Sequence, residues 1–174
     1  FRAIADATDC PIMIYNIPGR TGVNMTAETV KKCASISNIV ALKEAAGSVE
    51  QMKEFRAICP IDFHIYSGDD GLTLEFMKEG ASGVVSVASH LAGKQIHDMI
   101  AAFNNNDITT ANALDKILQP LFDVLFITSN PIPVKAALKL IGFNCGTTRP
   151  PLMAITEEQN QQVESVLDAF LEKV

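Results

Sequence analysis

Asn38-Ile39-Val40-Ala41-Leu42-Lys43-Glu44-Ala45-Ala46-Gly47 decides how the rest of the chain is read. Asn38 to Leu42 read as a short strand buried on both faces, of the kind found in parallel sheets covered by helices. Such a strand has no room for a spare charge, yet it ends in Lys43. A buried charge is costly unless it is paired, neutralised or used. The ordinary solutions are a lysine that snorkels out of the strand end or pairs with Glu44. The other solution is chemistry, and that depends on what the neighbouring segments bring to the same place.

On the N-terminal side, Phe1 to Thr8 have the apolar spacing of a helix's last turns, and Asp9-Cys10-Pro11 leads into a short buried strand over residues 12–17. That strand ends near Tyr15, and Pro18-Gly19 must turn. Thr26 reads as an N-cap with Glu28 in the first turn, for a helix to about Ser35. On the C-terminal side the pattern repeats. Ser48 with Gln51 forms a capping box, and Met52, Phe55 and Cys59 give a helical stripe that Pro60 stops. Phe63 to Ser67 is a third strand. Gly68-Asp69-Asp70-Gly71 turns, and Asp70 is expected to cap a helix carrying Leu72, Phe76 and Met77, ended by Gly80. Gly83 to Val87 is a fourth strand, and residues 90–104 are helical again.

These are four strand-then-helix units at a spacing of about 20 to 30 residues, the signature of a parallel α/β protein. The remainder contains no strand. Asp107 starts a long helix that Pro120 should kink, Asn130-Pro131-Ile132-Pro133 breaks the chain, residues 134–141 are helical, and Thr156 with Gln159 caps a last helix. Two folds accommodate the four units, a doubly wound sheet or half of an eight-stranded barrel. Missing phosphate-loop glycines weigh against the first. The opening at Phe1, inside a helix, reads as a piece of something longer and favours the second half of a barrel. The expectation is therefore an α/β chain with residues 1–105 as the second half of a (β/α)8 barrel and 106–174 as a helical C-terminal domain.

Composition narrows the function. With 174 residues, 48% of them apolar, the chain can bury a sizeable core. Its 14 basic and 20 acidic residues give a net charge of -6 without a basic stripe, which argues against nucleic acid and anionic membranes as partners. No apolar run approaches the roughly 20 residues of a membrane span, and the start lacks a signal-peptide layout. A cytoplasmic protein is expected. Cys10, Cys33, Cys59 and Cys145 match no paired-ligand pattern and read as mostly buried thiols. His64, His90 and His97 are scattered and read as structural. No dinucleotide fingerprint, P-loop or nucleophile elbow is present, so nucleotide and serine-hydrolase readings lose their support, and with no paired ligands no metal site is expected.

In a barrel, reactive side chains stand at the carboxyl ends of the strands, here Tyr15, Lys43, Ser67 to Asp70, and Ser86. A neutral lysine amine in a barrel mouth attacks a ketone to give a Schiff base. The iminium is an electron sink, so the adjacent carbon can lose a proton and form or break a carbon–carbon bond. That chemistry needs a proton shuttle, and Tyr15 ends the preceding strand, one right-handed crossover away. The alternative for Tyr15 is a half-buried ring with its hydroxyl on a backbone carbonyl. Arg20, between glycines just beyond, suits bidentate capture of a carboxylate or is a solvated surface residue.

Tyr15-Asn16-Ile17-Pro18-Gly19-Arg20-Thr21-Gly22, Ala41-Leu42-Lys43-Glu44-Ala45, Ser67-Gly68-Asp69-Asp70, Gly83-Val84-Val85-Ser86-Val87 and Asn130-Pro131-Ile132-Pro133-Val134-Lys135 together resemble the dihydrodipicolinate synthase (4-hydroxy-tetrahydrodipicolinate synthase) family of pyruvate-dependent aldolases. The resemblance covers essentially the whole chain. It implies a (β/α)8 barrel with a helical C-terminal domain, a cytoplasmic homotetramer, and condensation of pyruvate with aspartate semialdehyde in lysine biosynthesis. By position it implies Lys43 as the Schiff-base lysine, Tyr15 as proton donor and acceptor, Arg20 on the semialdehyde carboxylate, and Gly68 and Val85 lining the pyruvate pocket, Val85 by its backbone. The covalent link between Lys43 and pyruvate takes the place of a cofactor. The family's relay threonine, its second tyrosine and most of its lysine-feedback site find no counterpart in these residues. Two rivals stand beside this reading: an N-acetylneuraminate lyase-like or keto-sugar-acid aldolase with the same lysine and tyrosine, and a non-catalytic half-barrel binding module.

Overall fold

The computed structural model describes residues 1–173. They form two compact units, one over Phe1–Ser86 and the other from Val87 onward. In the first unit α1 (Arg2–Ala5) precedes β1 (Ile12–Asn16). Then come the single-turn α2 (Pro18–Thr21), α3 (Ala27–Ala34), β2 (Ile39–Glu44), α4 (Val49–Ile58), β3 (His64–Ser67), a 3-10 turn (Asp70–Leu72), α5 (Thr73–Lys78) and β4 (Gly83–Val84). The four strands make one parallel sheet in the order β1-β2-β3-β4.

That order has no reversal, and it separates the two folds the sequence left open. Each parallel crossover is right-handed, so consecutive strands that always step the same way place every helix on one side. Ile14, Leu42 and Ile65, one from each of three neighbouring strands, pack there with Val30 and Cys33 of α3, Met52 and Phe55 of α4, and Phe76 of α5. Leu42, Ile65, Met52, Phe55 and Phe76 are completely buried, each contributing about 1.5–3 kcal/mol of transfer free energy. The opposite face carries Met13, Tyr15, Lys43, His64 and Tyr66, none of them buried. A doubly wound sheet covers both faces; four units of a (β/α)8 barrel cover only the outer one.

The second unit is helical throughout: α6 (Ser89–Asn104), α7 (Ile108–Val124), α8 (Ile132–Leu140) and α9 (Glu157–Leu171). Helix α7 packs against α6 and α9, and α8 against α9, closing over Ile96, Met99, Leu118, Leu121, Leu125, Val163 and Leu167. Thr156 and Gln159 form the full capping box expected for α9. Among the described residues no helix is long and apolar enough to cross a membrane.

Several local expectations are corrected. Pro18-Gly19 begins the short helix α2 rather than a bare turn, because Pro at the first helical position needs no N–H partner, and Gly22 closes it with φ +71°. Asp69, not Asp70, caps the segment after β3, its carboxylate accepting the Gly71 N–H; Asp70 is buried. Ser48 accepts the Gln51 N–H as predicted, but the Gln51 amide pairs with Asn24. The fourth strand shrinks to Gly83–Val84. Helix α7 runs through Pro120. Of the four free cysteines only Cys33 is fully buried, whereas Cys10 is exposed.

Candidate functional site

The site is built where β1, β2 and β3 end. Tyr15 is the register partner of Lys43, and Lys43 of Tyr66, so three side chains form a row across the open face. Parallel register brings such partners to adjacent positions on the same face. The Lys43 Nζ stands over the Tyr15 ring, 4.3 Å from its centroid, a distance at which the ring's quadrupole attracts a cation. This contact, rather than Glu44, is what Lys43 finds at its strand end. The Glu44 side chain points the other way, since successive residues of a strand alternate faces.

Gly68 leaves β3 directly beside the lysine. Its N–H donates to the Glu44 carbonyl at 2.7 Å. A Cβ added there would meet the Ala45 Cβ at 2.6 Å, the Lys43 Cε at 3.0 Å and the Glu44 carbonyl oxygen at 3.1 Å. Only glycine lets β3 approach the lysine this closely. Val85, just past β4, donates its N–H to the Ser67 carbonyl at 2.9 Å and leaves its side chain exposed. Arg20 is exposed on α2, at the end of the sheet where β1 leaves. The structure thus brings Tyr15, Lys43 and Gly68 into one cluster, with Val85 on the neighbouring strand end and Arg20 on the turn that follows β1.

Tyr66 and the row behind it went unread in the sequence, and Ser67, expected among the reactive strand-end side chains, faces the helices instead and is 0% exposed. Tyr66 occupies the same row as Lys43, a position that only inter-strand register reveals. Behind that row lies a second, Asn16, Glu44 and Ser67, also register partners and 1%, 0% and 0% exposed. Its signal was present: each strand-end residue is followed by a polar one, at an offset of one, on the face that packs against helices.

The rear row is hydrogen-bonded to the loops. Glu44 Oε1 accepts the Ala46 N–H at 2.7 Å and Oε2 accepts the Asn16 amide at 2.8 Å. Asn16 Oδ1 accepts the Met25 N–H at 3.0 Å. Ser67 donates to the Asp69 carbonyl at 2.7 Å and accepts the Asp69 N–H at 3.1 Å. Burial pushes the Glu44 carboxyl above the usual range, while its bonds from Asn16, Ala46 and Gln51 pull it back in part. Burial likewise raises the Cys33 and Cys59 thiols. Among the described residues no group of three His, Cys, Asp or Glu side chains is placed to hold a metal ion.

Known proteins resemble this chain in sequence and in fold. The model of the Dihydrodipicolinate synthetase family matches residues 1–170. The chain is 54% identical over 168 residues to 4-hydroxy-tetrahydrodipicolinate synthase of Nostoc punctiforme, covering 96% of this chain and 57% of that protein. The crystal structure of the synthase from Cyanidioschyzon merolae with lysine bound superposes with a TM-score of 0.95 at 49% identity, covering 98% of this chain and 58% of that one. The chloride-inhibited synthase of Acinetobacter baumannii, solved in complex with pyruvate, gives 0.92 at 36% identity, covering 97% and 58%. The chain spans about 57% of the length of the curated relatives it matches. On the family match over nearly its whole length, this chain belongs to the Dihydrodipicolinate synthetase family.

Proposed function

We propose that this chain carries the Schiff-base centre of a 4-hydroxy-tetrahydrodipicolinate synthase, which condenses pyruvate with aspartate semialdehyde in the diaminopimelate route to lysine. The observation that carries the reading is the Lys43 amine 4.3 Å above the Tyr15 ring, on paired strand ends of an open sheet face. In this reading the neutral amine adds to the ketone of pyruvate and, with uptake of a proton and loss of water, gives an iminium. The iminium draws electrons from the methyl carbon, which loses a proton to become an enamine and attacks the aldehyde of the second substrate; the aldehyde oxygen takes up a proton, the iminium re-forms, and its carbon–nitrogen bond is broken by water or by the semialdehyde's own amine to return the Lys43 amine. Tyr15 relays protons at these steps. Arg20 takes the carboxylate of the semialdehyde in a bidentate pair, and Gly68 and Val85 border the space for pyruvate.

The iminium itself is the electron sink, so the scheme calls for no metal and no organic cofactor. The activity belongs to the intact protein, in which further strands close the barrel over the exposed face of Met13, Tyr15, Lys43, His64 and Tyr66. A cytoplasmic homo-oligomer is part of the proposal, as the family resemblance implies.

Borohydride reduction in the presence of pyruvate tests it. The expected product is a carboxyethyl group on the peptide containing Lys43, read by mass spectrometry and absent in Lys43→Ala. An intact protein that yields no adduct on Lys43 refutes the reading.

A further inference from the structure

Glu44 and Asn16 follow Lys43 and Tyr15 by one residue, and they face the helices, out of reach of any substrate on the open side. A carboxylate is among the least common side chains to find fully buried, and where only packing is required an apolar residue serves as well or better. Glu44 is nonetheless 0% exposed. Each of its oxygens meets a donor, the Ala46 N–H at 2.7 Å and the Asn16 amide at 2.8 Å. A carboxamide would set a donor against one of them. The site is thus shaped for an acceptor on both oxygens.

The bonds continue outward from Glu44. Asn16 also donates to Asn24 Oδ1 at 2.8 Å and accepts the Met25 N–H at 3.0 Å. Asn24 and Gln51 exchange amide bonds at 2.8 and 2.9 Å. One carboxylate therefore joins the end of β1, the segment after the Arg20 turn, the end of β2 and the first turn of α4.

We propose that Glu44, paired with Asn16, is a positioning residue that holds Lys43 against Tyr15 and anchors the segment bearing Arg20, and that it does so through two accepting oxygens. This deepens the Schiff-base reading of Lys43 and rests on it. The effect is one of distance: a displacement of about 1 Å between reacting groups costs about a hundredfold in rate.

The test measures two quantities on the intact protein: the rate at which borohydride traps pyruvate on Lys43 at saturating pyruvate, and the urea midpoint. Glu44→Gln keeps the shape and opposes one donor with another; trapping should fall about tenfold to a hundredfold. Adding Asn16→Asp restores donor against acceptor across the pair and should recover a large part of the loss. Val30→Ala, a buried truncation behind the same sheet, should lower the midpoint and leave trapping unchanged. Should Glu44→Gln not fold, Asn24→Ala at the exposed outer end of the network takes its place, with an expected loss of about twofold or more.

Full-rate trapping in Glu44→Gln, or in Asn24→Ala where that variant stands in, makes the network a stability element only and overturns the inference by itself. A double variant that recovers nothing overturns the carboxylate pairing. Absence of an adduct in the unaltered protein instead overturns the Schiff-base reading, and the inference with it.

Discussion

Gly68→Ala is the sharpest perturbation the site offers. The backbone of Gly68 lies outside the left-handed region, so the substitution acts through the added methyl alone. That methyl would stand 2.6 Å from the Ala45 Cβ, about 1 Å inside the 3.5–4.0 Å of an ordinary carbon–carbon contact. Ala45 has no rotamer to change, so the backbone must yield. Either the end of β3 moves off β2 and loses the 2.7 Å bond from the Gly68 N–H to the Glu44 carbonyl, or β2 shifts and takes Lys43 with it. The Lys43 Cε at 3.0 Å can swing aside, but only by leaving its place over Tyr15. Overpacking of this kind destabilises by about 1–3 kcal/mol, and a 1 Å displacement of a reacting group costs about a hundredfold. Urea denaturation should therefore show a fall of that size, and borohydride trapping of pyruvate on Lys43 should slow by about two orders of magnitude in the folded protein. A variant with an unchanged midpoint that traps within about threefold of the original rate would refute the claim that close approach at Gly68 sets the lysine.

Two further outcomes are expected. Arg20→Ala should weaken use of aspartate semialdehyde by about tenfold or more, the loss of a charge-assisted pair, and leave pyruvate trapping nearly intact; steady-state kinetics set beside trapping separate the two, and equal losses count against the carboxylate role, leaving the keto-sugar-acid reading of the same lysine and tyrosine in its place. Glu44 should also leave a mark on stability against pH. Burial raises its folded value above the ordinary 4.5, so between these two values the native state holds more proton than the unfolded one. Its contribution is complete below pH 4.5 and is lost as pH rises through the folded value. Urea midpoints across acid to neutral pH should show that decline in the unaltered protein, and Glu44→Gln should lack it; parallel curves would contradict the assignment.

The sequence made the alternation of strands and helices legible, because each element carries its own period and its own cap. Thr26, Ser48, Asp107 and Thr156 all cap the helices they were expected to start. Lys43 and Tyr15 were legible as strand-end residues in an apolar setting. The parts that resisted depend on neighbours distant in sequence. Whether Pro18-Gly19 turns or coils, and whether Asp69 or Asp70 caps, is settled by competition between adjacent backbone conformations of similar energy. The pairing of Tyr66 with Lys43 is a matter of inter-strand register, which no local pattern contains. Glu44 stands among the ordinary alternatives for Lys43 because the two are adjacent in the chain, although adjacency in a strand places side chains on opposite faces. The rear row follows from that rule once the strand is granted.

The offset of one residue between the two rows divides labour within the sheet. Loop anchorage lies with Asn16, Glu44 and Ser67, whereas the open face of the sheet carries Tyr15, Lys43 and Tyr66. A wall so arranged can be refaced without rehanging its loops: exchanging Tyr66 for another side chain changes the open face and leaves every hydrogen bond of the rear row in place. For altering the open face without disturbing its supports, Tyr66 is therefore the first position to vary and Asn16 the last.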